Sequence, residues 1–388
     1  MQKILWLTSW YPNKTDMFTG DFIQRHAKAV SKFYHVIVLH VVKAEQPFFS
    51  GESHEEINQS ENLTEHIVYY KCDTALKPLN KLNSLTKYIR IFRKLILIYK
   101  NESIPLSHVH VPLKAGLLGI WLKQKYKVPF VLTEHYGIYN QVVDEPFNKR
   151  SLLFKYFTKK IIKECDILSP VSRNVGEAIN KMVIHKPFSV VYNTVDTSLF
   201  FYNPNTKNKF RLIHISNMQP LKNVEGIIRS FAAVWEENKE LELMLVGKYD
   251  SSILEFARKT QLLDQSIYFT GEISYQEVAK QMQESNAFVL FSKTENMPCV
   301  ILESLCCGLP VIATIVGGIP EVVNESNGIL IESENEDALK EAIRAMAKNY
   351  HQYNRADISK NAILKFSYEE IGKQISQQYQ QALSRQPY

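Results

Sequence analysis

The stretch ENMPCVILE at residues 295–303 is the part of the chain that says most about its fold. An apolar run at 287–291 precedes it and predicts a buried strand, and its own apolar half predicts a short helix over about 298–307. Pro298 suits the first turn of that helix, where a missing N–H leaves no bond unmade. A strand, a loop and a helix in this order are the repeating unit of a parallel α/β sheet.

Two carboxylates frame this stretch, Glu295 in the loop and Glu303 in the helix. Between Glu295 and Glu321, Glu303 is the only charged residue, and its neighbours in the helix are apolar. Burying a carboxylate among apolar side chains is costly unless hydrogen-bond donors reach it. The hydroxyl groups of a ligand could supply those donors, whereas on a solvated helix face water would. We favour a ligand, because glycines flank the stretch and the helix begins at a loop.

Length and composition indicate a globular protein of two domains. The chain has 388 residues, 45% hydrophobic and 22% charged, which is more than one ordinary core accommodates. A net charge of +6 is too weak to indicate nucleic acid but is compatible with anionic ligands or membranes. The five cysteines lack metal-site spacing and favour a reducing cytosol. With no signal peptide or membrane-spanning run in view, we expect a cytoplasmic protein, at most peripheral to a membrane.

Strand and helix patterns alternate twice along the chain. The first array extends to a polar, proline-containing stretch at 203–208, after which the alternation restarts. Two such arrays predict two parallel-sheet domains that face each other across a cleft, residues 1–205 and residues 206–365. Residues 43–65 interrupt the first array, and their polar, weakly periodic sequence predicts an exposed excursion.

Two residues of the first array are candidate ligand contacts because they follow predicted strands. Gly20 stands before a helix predicted to start near Asp21, an arrangement that can present backbone N–H groups to an anion. A plain turn explains a single glycine equally well. His135 lies in TEHYG at 133–137, just after a strand. An imidazole titrates near neutrality, so His135 could donate a hydrogen bond, carry a proton, or be purely structural.

A predicted helix at 79–100 carries six basic residues and no acidic one. Its apolar residues recur at helical spacing, so it could lie on an anionic membrane surface or form an ordinary surface helix. The sequence leaves both interpretations open.

The loop SNMQPLKN at 216–223 follows the first strand of the second array and is a candidate phosphate site. It offers backbone amides and Lys222 ahead of a helix, although it lacks the Walker pattern. The chain has no Asp-x-Asp motif and no helical pair of histidines four residues apart, so we expect no metal and no cofactor. A phosphate site, a lysine and two carboxylates describe a site for a sugar joined to a phosphate or to a nucleotide.

Together these motifs resemble those of retaining glycosyltransferases. The run from Ser292 to Thr314, followed by GGIPE at 317–321, resembles their E-x7-E signature, and more narrowly that of glycosyltransferase family 4, which has the GT-B fold. Similar matches extend along nearly the whole chain: VLTEH at 131–135, PVS at 170–172, YNTVD at 192–196, LVG at 245–247 and FTGE at 269–272. The resemblance implies two Rossmann-like domains and a C-terminal helix, 366–388, that packs on the first domain.

The resemblance also implies roles for residues of the second domain. Glu303 would accept hydrogen bonds from the ribose hydroxyls of a nucleotide. Glu295, with the backbone amides of Asn296, Met297 and Cys299, would hold the donor sugar by its hydroxyl edge.

Four further residues would complete this donor site. Lys222 would neutralise the leaving diphosphate, which the helix start at Val300 would also face. The nucleotide base would lie near Ile273. Many relatives have an arginine where this chain has Asn217, so the implied phosphate site has one positive charge fewer than theirs.

In the first domain, Gly20 would let its loop approach the phosphate, and His135 would bind the transferred sugar near its anomeric carbon. The implied reaction moves a sugar, in the usual case a hexose, from a nucleotide diphosphate sugar to a glycan or lipid-linked acceptor. It would retain the anomeric configuration, need no metal and serve synthesis of a surface polysaccharide or glycolipid. Two alternatives stay open: a nucleotide-sugar epimerase of the same fold, and a non-catalytic protein that binds sugar nucleotides.

Overall fold

The chain divides into two compact units in the computed structural model, which describes residues 1–44, 48–71, 77–100, 102–140, 142–143, 145–204 and 209–385. The first unit takes in the chain up to Tyr192, apart from a short stretch around Val142, together with the segment from Tyr368 onward. The second unit takes in Asn193–Ser367. Each unit is built around its own sheet.

The first unit is built on a sheet that is parallel except at one edge. Its strands are β1 Lys3–Thr8, β2 His35–Lys43, β3 Ser53–Ser60, β4 Leu63–Tyr70, β5 Ser107–His110, β6 Phe130–Glu134 and β7 Ile167–Pro170. They lie in the order β3-β4-β2-β1-β5-β6-β7, and of the pairs in the described chain β3 with β4 is the antiparallel one. The direction of the order reverses between β1 and β5, so the carboxyl ends of these strands form the switch point of the sheet.

Strand β3 corrects the expectation of an exposed excursion at 43–65. The polar segment Ser53–Ser60 pairs along its whole length with β4 and forms an edge of the sheet. Most of its residues are exposed, so it lacks the alternation of apolar and polar residues that identifies a half-buried strand. A polar edge strand also discourages pairing with another chain.

Helices cover both faces of this sheet. They are α1 Asp21–Val30, α2 Lys77–Lys100, α3 Ala115–Tyr126, α4 Leu152–Glu164 and α5 Arg173–Met182. Successive residues of a strand point to opposite faces, and β1 shows this directly. Leu5 packs in one apolar cluster with Phe92 of α2, whereas Trp6 packs in another with Ile23 of α1. Both faces of β1 are therefore buried, as is usual for parallel strands.

The second unit is built on a parallel sheet. Its strands are β8 Phe210–Ile215, β9 Leu241–Val246, β10 Ile267–Gly271, β11 Ala287–Leu290, β12 Val311–Thr314 and β13 Gly328–Ile331. Its helices are α6 Val224–Trp235, α7 Ser251–Lys259, α8 Tyr275–Gln283, α9 Cys299–Cys306, α10 Glu336–Asn349 and α11 Arg355–Phe366. The strand order β10-β9-β8-β11-β12-β13 reverses between β8 and β11, which places the switch point there.

The chain passes from the first unit to the second at Tyr192 and Asn193, ahead of the predicted boundary at 205. Asn193 Nδ2 donates to the Met297 carbonyl at 2.7 Å, and the Val195 N–H donates to the Phe366 carbonyl at 2.8 Å. These bonds attach the segment after Tyr192 to the second unit. The polar stretch on which the prediction rested lies partly outside the described residues.

The C-terminal helix, α12 Tyr368–Ser384, groups with the first unit. It packs against α1, where a Cβ on Gly372 would lie 2.4 Å from the Ala29 carbonyl oxygen. The buried Tyr379 hydroxyl accepts a hydrogen bond from Trp6 Nε1 at 3.1 Å. The predicted fold class, α/β with two Rossmann-like sheets, is confirmed.

The predicted basic helix is present as α2. Its exposed residues include Arg90, Arg93 and Lys94, while Phe92 and Leu95 are buried in the core. Among the helices of the described chain, none combines enough length with enough apolar character to cross a bilayer.

Candidate functional site

In the second unit, the loops that follow β8 and β11 meet because these strands are neighbours at the switch point. The first loop ends in one turn of 3-10 helix at Pro220–Lys222, and the second carries Glu295. Lys222 Nζ lies 2.5 Å from Glu295 Oε1. The Lys293 N–H also donates to the Leu221 carbonyl at 2.8 Å. The fold therefore brings together two predicted site residues that are 73 positions apart in the sequence.

The Glu295 carboxylate has a second donor that the sequence analysis missed. Ser292 Oγ donates to the same Oε1 at 2.7 Å. The Ser292 carbonyl in turn accepts from Thr314 Oγ1, in β12, at 2.7 Å. The Glu295 side chain is 9% exposed, so both donors orient a carboxylate that water barely reaches. Ser292 lies inside the motif, three residues before Glu295, and that spacing is the signal that could have identified it.

A glycine determines how closely another segment approaches the Glu295 loop. Gly317 has a φ of 56°, and a Cβ at this position would lie 1.8 Å from the Glu295 carbonyl oxygen. The next residue, Gly318, donates its N–H to the Asn296 carbonyl at 2.7 Å. Glycine is required here because it tolerates the left-handed backbone and has no Cβ to clash. The GGIPE segment therefore holds the loop by main-chain contact.

The residues between the two glutamates lie at the start of α9. Met297 is buried, and Cys299 and Val300 form a half-buried first helical turn. Pro298 is the N-cap residue and makes no side-chain cap bond, one position outside the helix in which the sequence placed it. The partial positive charge of a helix N-terminus favours an anion nearby.

Glu303 lies in the middle of α9 and is 2% exposed. Its Oε1 accepts a hydrogen bond from the Tyr275 hydroxyl at 2.5 Å. The Tyr275 ring contacts Phe200, with ring centroids 4.8 Å apart. A protein hydroxyl thus supplies one donor to this carboxylate, and the favoured interpretation, that ligand hydroxyls supply donors, stays a prediction. The sequence analysis missed Tyr275, which no motif marks.

Asn217 and Ile273 occupy loops that follow β8 and β10. Asn217 is exposed and precedes Met218, whose φ is 49°. Ile273 is half-buried just before Ser274, which caps α8 reciprocally with Glu277. The roles in binding the diphosphate and the base stay predictions for these two residues.

In the first unit, His135 follows β6 and joins a cluster of buried imidazoles. Its Nε2 lies 3.2 Å from Nδ1 of His110 in β5, and the two rings stack. The ring of His26, in α1, lies 5.5 Å from that of His135 and is held through Nε2 by the Tyr192 carbonyl at 3.0 Å. The sequence analysis missed His26 and His110, because they lie on separate elements with no common spacing.

Burial keeps these imidazoles neutral. It lowers the pKa of His26 to about 4 and lowers the pKa of His110 and of His135 well below 6.5. This corrects the expectation that His135 titrates near neutrality and could carry a proton on that account. A neutral imidazole can still donate one hydrogen bond and accept another.

The three histidines are also the group, within the described ranges, whose geometry could hold a metal ion. One nitrogen from each of His26, His110 and His135 lies within 4.8 Å of the others. Neutral imidazole is a ligand that Zn²⁺ accepts readily. Motif spacing could not reveal this group, since three different elements contribute to it. The expectation that the protein needs no metal stays a prediction.

Gly20 is the N-cap residue of α1 and has a φ of 72°. A Cβ there would lie 2.7 Å from the carbonyl carbon of Trp10, so the loop after β1 folds tightly back on itself. That contact explains the glycine without a ligand, and the predicted approach to phosphate stays a prediction.

Two known protein families match the chain, each over a different part of it. The family described as "Glycosyl transferases group 1" matches residues 196–365, and that described as "Glycosyltransferase Family 4" matches residues 34–199. The chain belongs to glycosyltransferase family 4. The resemblance seen in the sequence motifs is thereby confirmed, and the protein is a glycosyltransferase.

Individual relatives of this glycosyltransferase agree with that assignment. An uncharacterized glycosyltransferase of Methanocaldococcus jannaschii is 27% identical over 383 residues, 98% of this chain and 99% of its own length. The N-acetyl-alpha-D-glucosaminyl L-malate synthase of Bacillus anthracis is 27% identical over 254 residues, 62% of this chain and 64% of its own.

Solved structures share the fold. Sucrose-phosphate synthase from Thermosynechococcus elongatus superposes with a TM-score of 0.78 at 18% identity, over 100% of both chains. Anabaena HepE in complex with UDP superposes with a TM-score of 0.71 at 16% identity, over 98% of this chain and 100% of its own. The predicted GT-B fold of this glycosyltransferase is thereby confirmed.

Proposed function

We propose that this glycosyltransferase moves a hexosyl group from a nucleotide diphosphate sugar to a glycan or lipid-linked acceptor, with retention at the anomeric carbon. The observation that carries the proposal is the contact between Lys222 and Glu295 at the second switch point. An ammonium and a carboxylate placed together match the two parts of such a donor, an anionic diphosphate and a hydroxyl-bearing sugar. The solved complex of HepE with UDP supports a nucleotide as ligand.

Lys222 would act on the leaving group. As the bond to the sugar breaks, negative charge develops on the terminal phosphate oxygen, and a fixed ammonium stabilises it. Nζ lies 2.5 Å from Glu295 Oε1, while Ser292 provides the same carboxylate with a second donor. Donor binding would move the ammonium from carboxylate to phosphate. Glu295, still oriented by Ser292, would then accept hydrogen bonds from the hydroxyls of the sugar.

Glu303 would bind the ribose of the nucleotide. Its carboxylate is buried and accepts from Tyr275. A carboxylate has about four acceptor positions, so the Tyr275 bond is compatible with further donation from two neighbouring ribose hydroxyls. The N-terminus of α9 would lie toward the diphosphate.

We assign no protein nucleophile to the reaction. The acceptor oxygen would form its bond to the anomeric carbon on the face from which the diphosphate leaves, and the diphosphate would take the acceptor proton. The protein would contribute by positioning the reactants and stabilising the departing charge. For His135 we propose a hydrogen bond from its neutral imidazole to the transferred sugar. No metal is needed for this reaction, since Lys222 provides the positive charge.

A donor panel tests the proposal. The full chain is incubated with UDP-, GDP- and ADP-sugars, with and without a lipid-linked acceptor, and nucleotide release and the anomeric configuration of the product are measured. Acceptor-dependent release with a retained configuration, unaffected by EDTA, supports the proposal. Conversion of the donor sugar without an acceptor would identify an epimerase, and binding without turnover of any donor would identify a non-catalytic protein.

Glu303→Ala should weaken donor binding by about tenfold or more, because it removes a buried charged acceptor. Donor affinity is measured by calorimetry, and folding by the thermal unfolding midpoint. Tyr275→Phe is the matched control, because it removes the protein donor and leaves the carboxylate in place. If both variants lose only stability and keep donor affinity, Glu303 is structural.

We also propose that the first unit binds an anionic membrane surface. Helix α2 exposes Arg90, Arg93 and Lys94, with Leu97 and Ile98 about half exposed beside them. Basic residues beside apolar ones suit the headgroup region of a bilayer. Arg93 also lies over the Trp121 ring at 5.1 Å, which fixes part of this face.

A second helix offers a more apolar surface than α2. In α4, Leu152 is 84% exposed, Leu153 65% and Tyr156 59%, and the exposed Lys159 lies in the next turn. Large apolar side chains this exposed are more often interaction surfaces than solvated ones when they cluster. The vesicle experiment therefore needs one set of variants for each helix.

Co-sedimentation with vesicles that contain phosphatidylglycerol should decrease on charge reversal at Arg90, Arg93 and Lys94, and on replacing Leu152 and Leu153 by serine. Charge reversal at Lys360 and Lys365 of α11 is the matched control and should leave binding unchanged. Sedimentation unaffected by either set would show that both helices are merely solvated.

A further inference from the structure

The switch point of the first sheet opens into a cavity. Ser9 and Trp10 follow β1, residues 111–114 follow β5, and Glu134 ends β6, and all of them line a space of about 170 Å³. Open α/β sheets bind ligands outside the carboxyl ends of their strands at such a position. The cavity adjoins Glu134, the residue before His135.

The walls of this cavity are mostly apolar and aromatic. They include Trp10, Leu113, Tyr136, Ile138 and Phe154. The rings of Trp10 and Tyr136 meet edge to face at 5.0 Å, which stiffens that wall. Apolar walls with a few convergent polar groups are the usual form of a small-molecule site.

The backbone that forms one wall is strained. Val111 has a φ of 66° and Lys114 a φ of 70°. A β-branched residue at positive φ is a genuine outlier, and such strain persists where the surroundings impose it, typically at ligand sites. Here Ser9 Oγ imposes it in part, since it donates to the Leu113 carbonyl at 2.5 Å and so holds the turn against the loop after β1.

The charges around the cavity favour an anion. The Glu134 carboxylate is buried and already accepts from the Tyr136 N–H at 2.8 Å and from the Tyr139 hydroxyl at 2.7 Å. Lys114, exposed overall, is the cation that lines the cavity, and its Nζ lies 5.6 Å from the centre of the Tyr88 ring. A ligand with an apolar body and an anionic group complements both features.

One polar side chain of the cavity wall has no hydrogen-bond partner among the residues that the structure describes. The Thr158 hydroxyl is buried without a hydrogen bond, on the turn of α4 after Phe154. Buried hydroxyls are nearly always bonded, so this one is an exception in the cavity wall.

We infer that this cavity is the acceptor subsite, and that it takes the apolar part of an anionic amphiphile whose negative group pairs with Lys114. The identification of this ligand as the acceptor rests on the proposed function. The binding of such a ligand in the cavity does not. The space would hold a short alkyl or ring segment, so the anion would lie within a few atoms of it. An alkyl phosphate and an alkyl carboxylate share this chemistry.

Calorimetry on the full chain tests the inference with three eight-carbon amphiphiles, each below its micelle concentration, and with inorganic phosphate. We expect n-octyl phosphate and n-octanoate to bind, n-octyl glucoside to bind at least about tenfold more weakly than the phosphate, and inorganic phosphate not to bind at this site. Equal binding of inorganic phosphate and octyl phosphate would overturn the inference, as would equal binding of octyl phosphate and the uncharged octyl glucoside.

Paired variants locate the binding. Lys114→Met should weaken octyl phosphate about tenfold and leave octyl glucoside unchanged, whereas Lys125→Met, at the far end of α3, should change neither. Phe154→Ala should weaken both octyl ligands, whereas Phe157→Ala, on the same helix but outside the cavity wall, should not. Thermal unfolding midpoints check that each variant folds. Identical behaviour within either pair would overturn the assignment to this cavity.

A further variant separates this inference from the donor site. Lys222→Met should leave octyl phosphate binding unchanged, since that lysine belongs to the second switch point. If Lys222→Met abolishes it, the probe occupies the phosphate site and the inference fails while the proposed function stands. If octyl phosphate binds as expected but no donor is turned over, the cavity is a ligand site and the proposed function fails.

Discussion

The switch point of the second sheet, between β8 and β11, is occupied by charged groups, whereas that of the first sheet, between β1 and β5, adjoins an apolar cavity and neutral imidazoles. In the second, Lys222 and Ser292 both contact one oxygen of Glu295. In the first, burial raises the pKa of Glu134 to about 7 and lowers that of His135 well below 6.5. The two sheets thus have different electrostatic conditions at their switch points.

The difference teaches what each site can do. Charged groups held in place are suited to stabilise charge that develops as a bond breaks. An apolar cavity beside neutral imidazoles, with Lys114 in its wall, is suited to bind and orient a reactant. We therefore propose charge stabilisation for the second unit and binding of an apolar group for the first.

The largest effect is expected for Lys222→Met. Removing a preorganised positive group from the leaving-group site should lower kcat/KM by about 100- to 1,000-fold, because the loss falls on the transition state. The measurement is the steady-state rate of nucleotide release with the donor found in the panel.

Lys293→Met is the matched control for Lys222→Met. Lys293 lies in the same loop as Glu295 and pairs at 2.6 Å with Glu334, whose side chain is 62% exposed. Exposed ion pairs contribute little, so we expect less than about a twofold change in rate. Equal effects of the two variants would remove the distinction between the two switch points, since neither lysine would then act on developing charge.

How far the sequence predicts this molecule depends on whether the signal is local. The helix after Glu295, the lysine in the loop after β8 and the alternation of strands and helices are encoded within short segments, and these predictions agree with the structure. The contact of Lys222 with Glu295 depends on which strands are neighbours in the sheet. Sequence motifs indicate that strand order only through the family that they identify.

The features that sequence reasoning missed are assembled from distant segments or lack an apolar pattern. His26, His110 and His135 come from a helix, a strand and a loop. Tyr275 reaches Glu303 from 28 positions away, and no spacing marks the pair. Strand β3 is polar except at the exposed Ile57, so its pairing is visible in the backbone hydrogen bonds with β4 but not in its residue types.

A second prediction concerns the rigidity of the charged switch point. Gly317→Ala would place a Cβ 1.8 Å from the Glu295 carbonyl oxygen, at a residue whose φ is 56°. The Glu295 loop or the GGIPE segment would therefore have to move. We expect a loss of about 3 kcal/mol in the free energy of unfolding, measured by urea titration with an unchanged m-value, together with weaker donor binding.

Gly271→Ala separates backbone strain from steric contact in that experiment. Gly271 has a φ of 71° in the same unit, but a Cβ there would meet nothing within 4 Å. It should therefore cost only the strain of a left-handed residue, about 1 kcal/mol, and leave donor affinity unchanged. If Gly317→Ala costs no more than this, close packing does not hold the Glu295 carboxylate in place.

The smallest effect is expected at the uncharged switch point, in the dependence of stability on pH. Burial lowers the pKa of His26 from 6.5 to about 4, so below pH 6.5 the unfolded chain binds a proton that the folded chain does not. The free energy of unfolding therefore decreases as pH falls from 6.5 toward 4. For His26 alone the decrease amounts to roughly 2 kcal/mol by pH 5.

His26→Gln removes this titration and keeps a side-chain N–H that can donate to the Tyr192 carbonyl, as His26 Nε2 can. Its unfolding midpoint should fall less steeply between pH 7 and pH 5 than that of the natural chain. His185→Gln, at an exposed position, should follow the natural slope. Glu134 has the opposite influence in this range but is common to all three proteins, so it cancels from the difference. If His26→Gln and His185→Gln have the same slope, His26 takes up its proton in the folded state, and the first switch point becomes charged in acid.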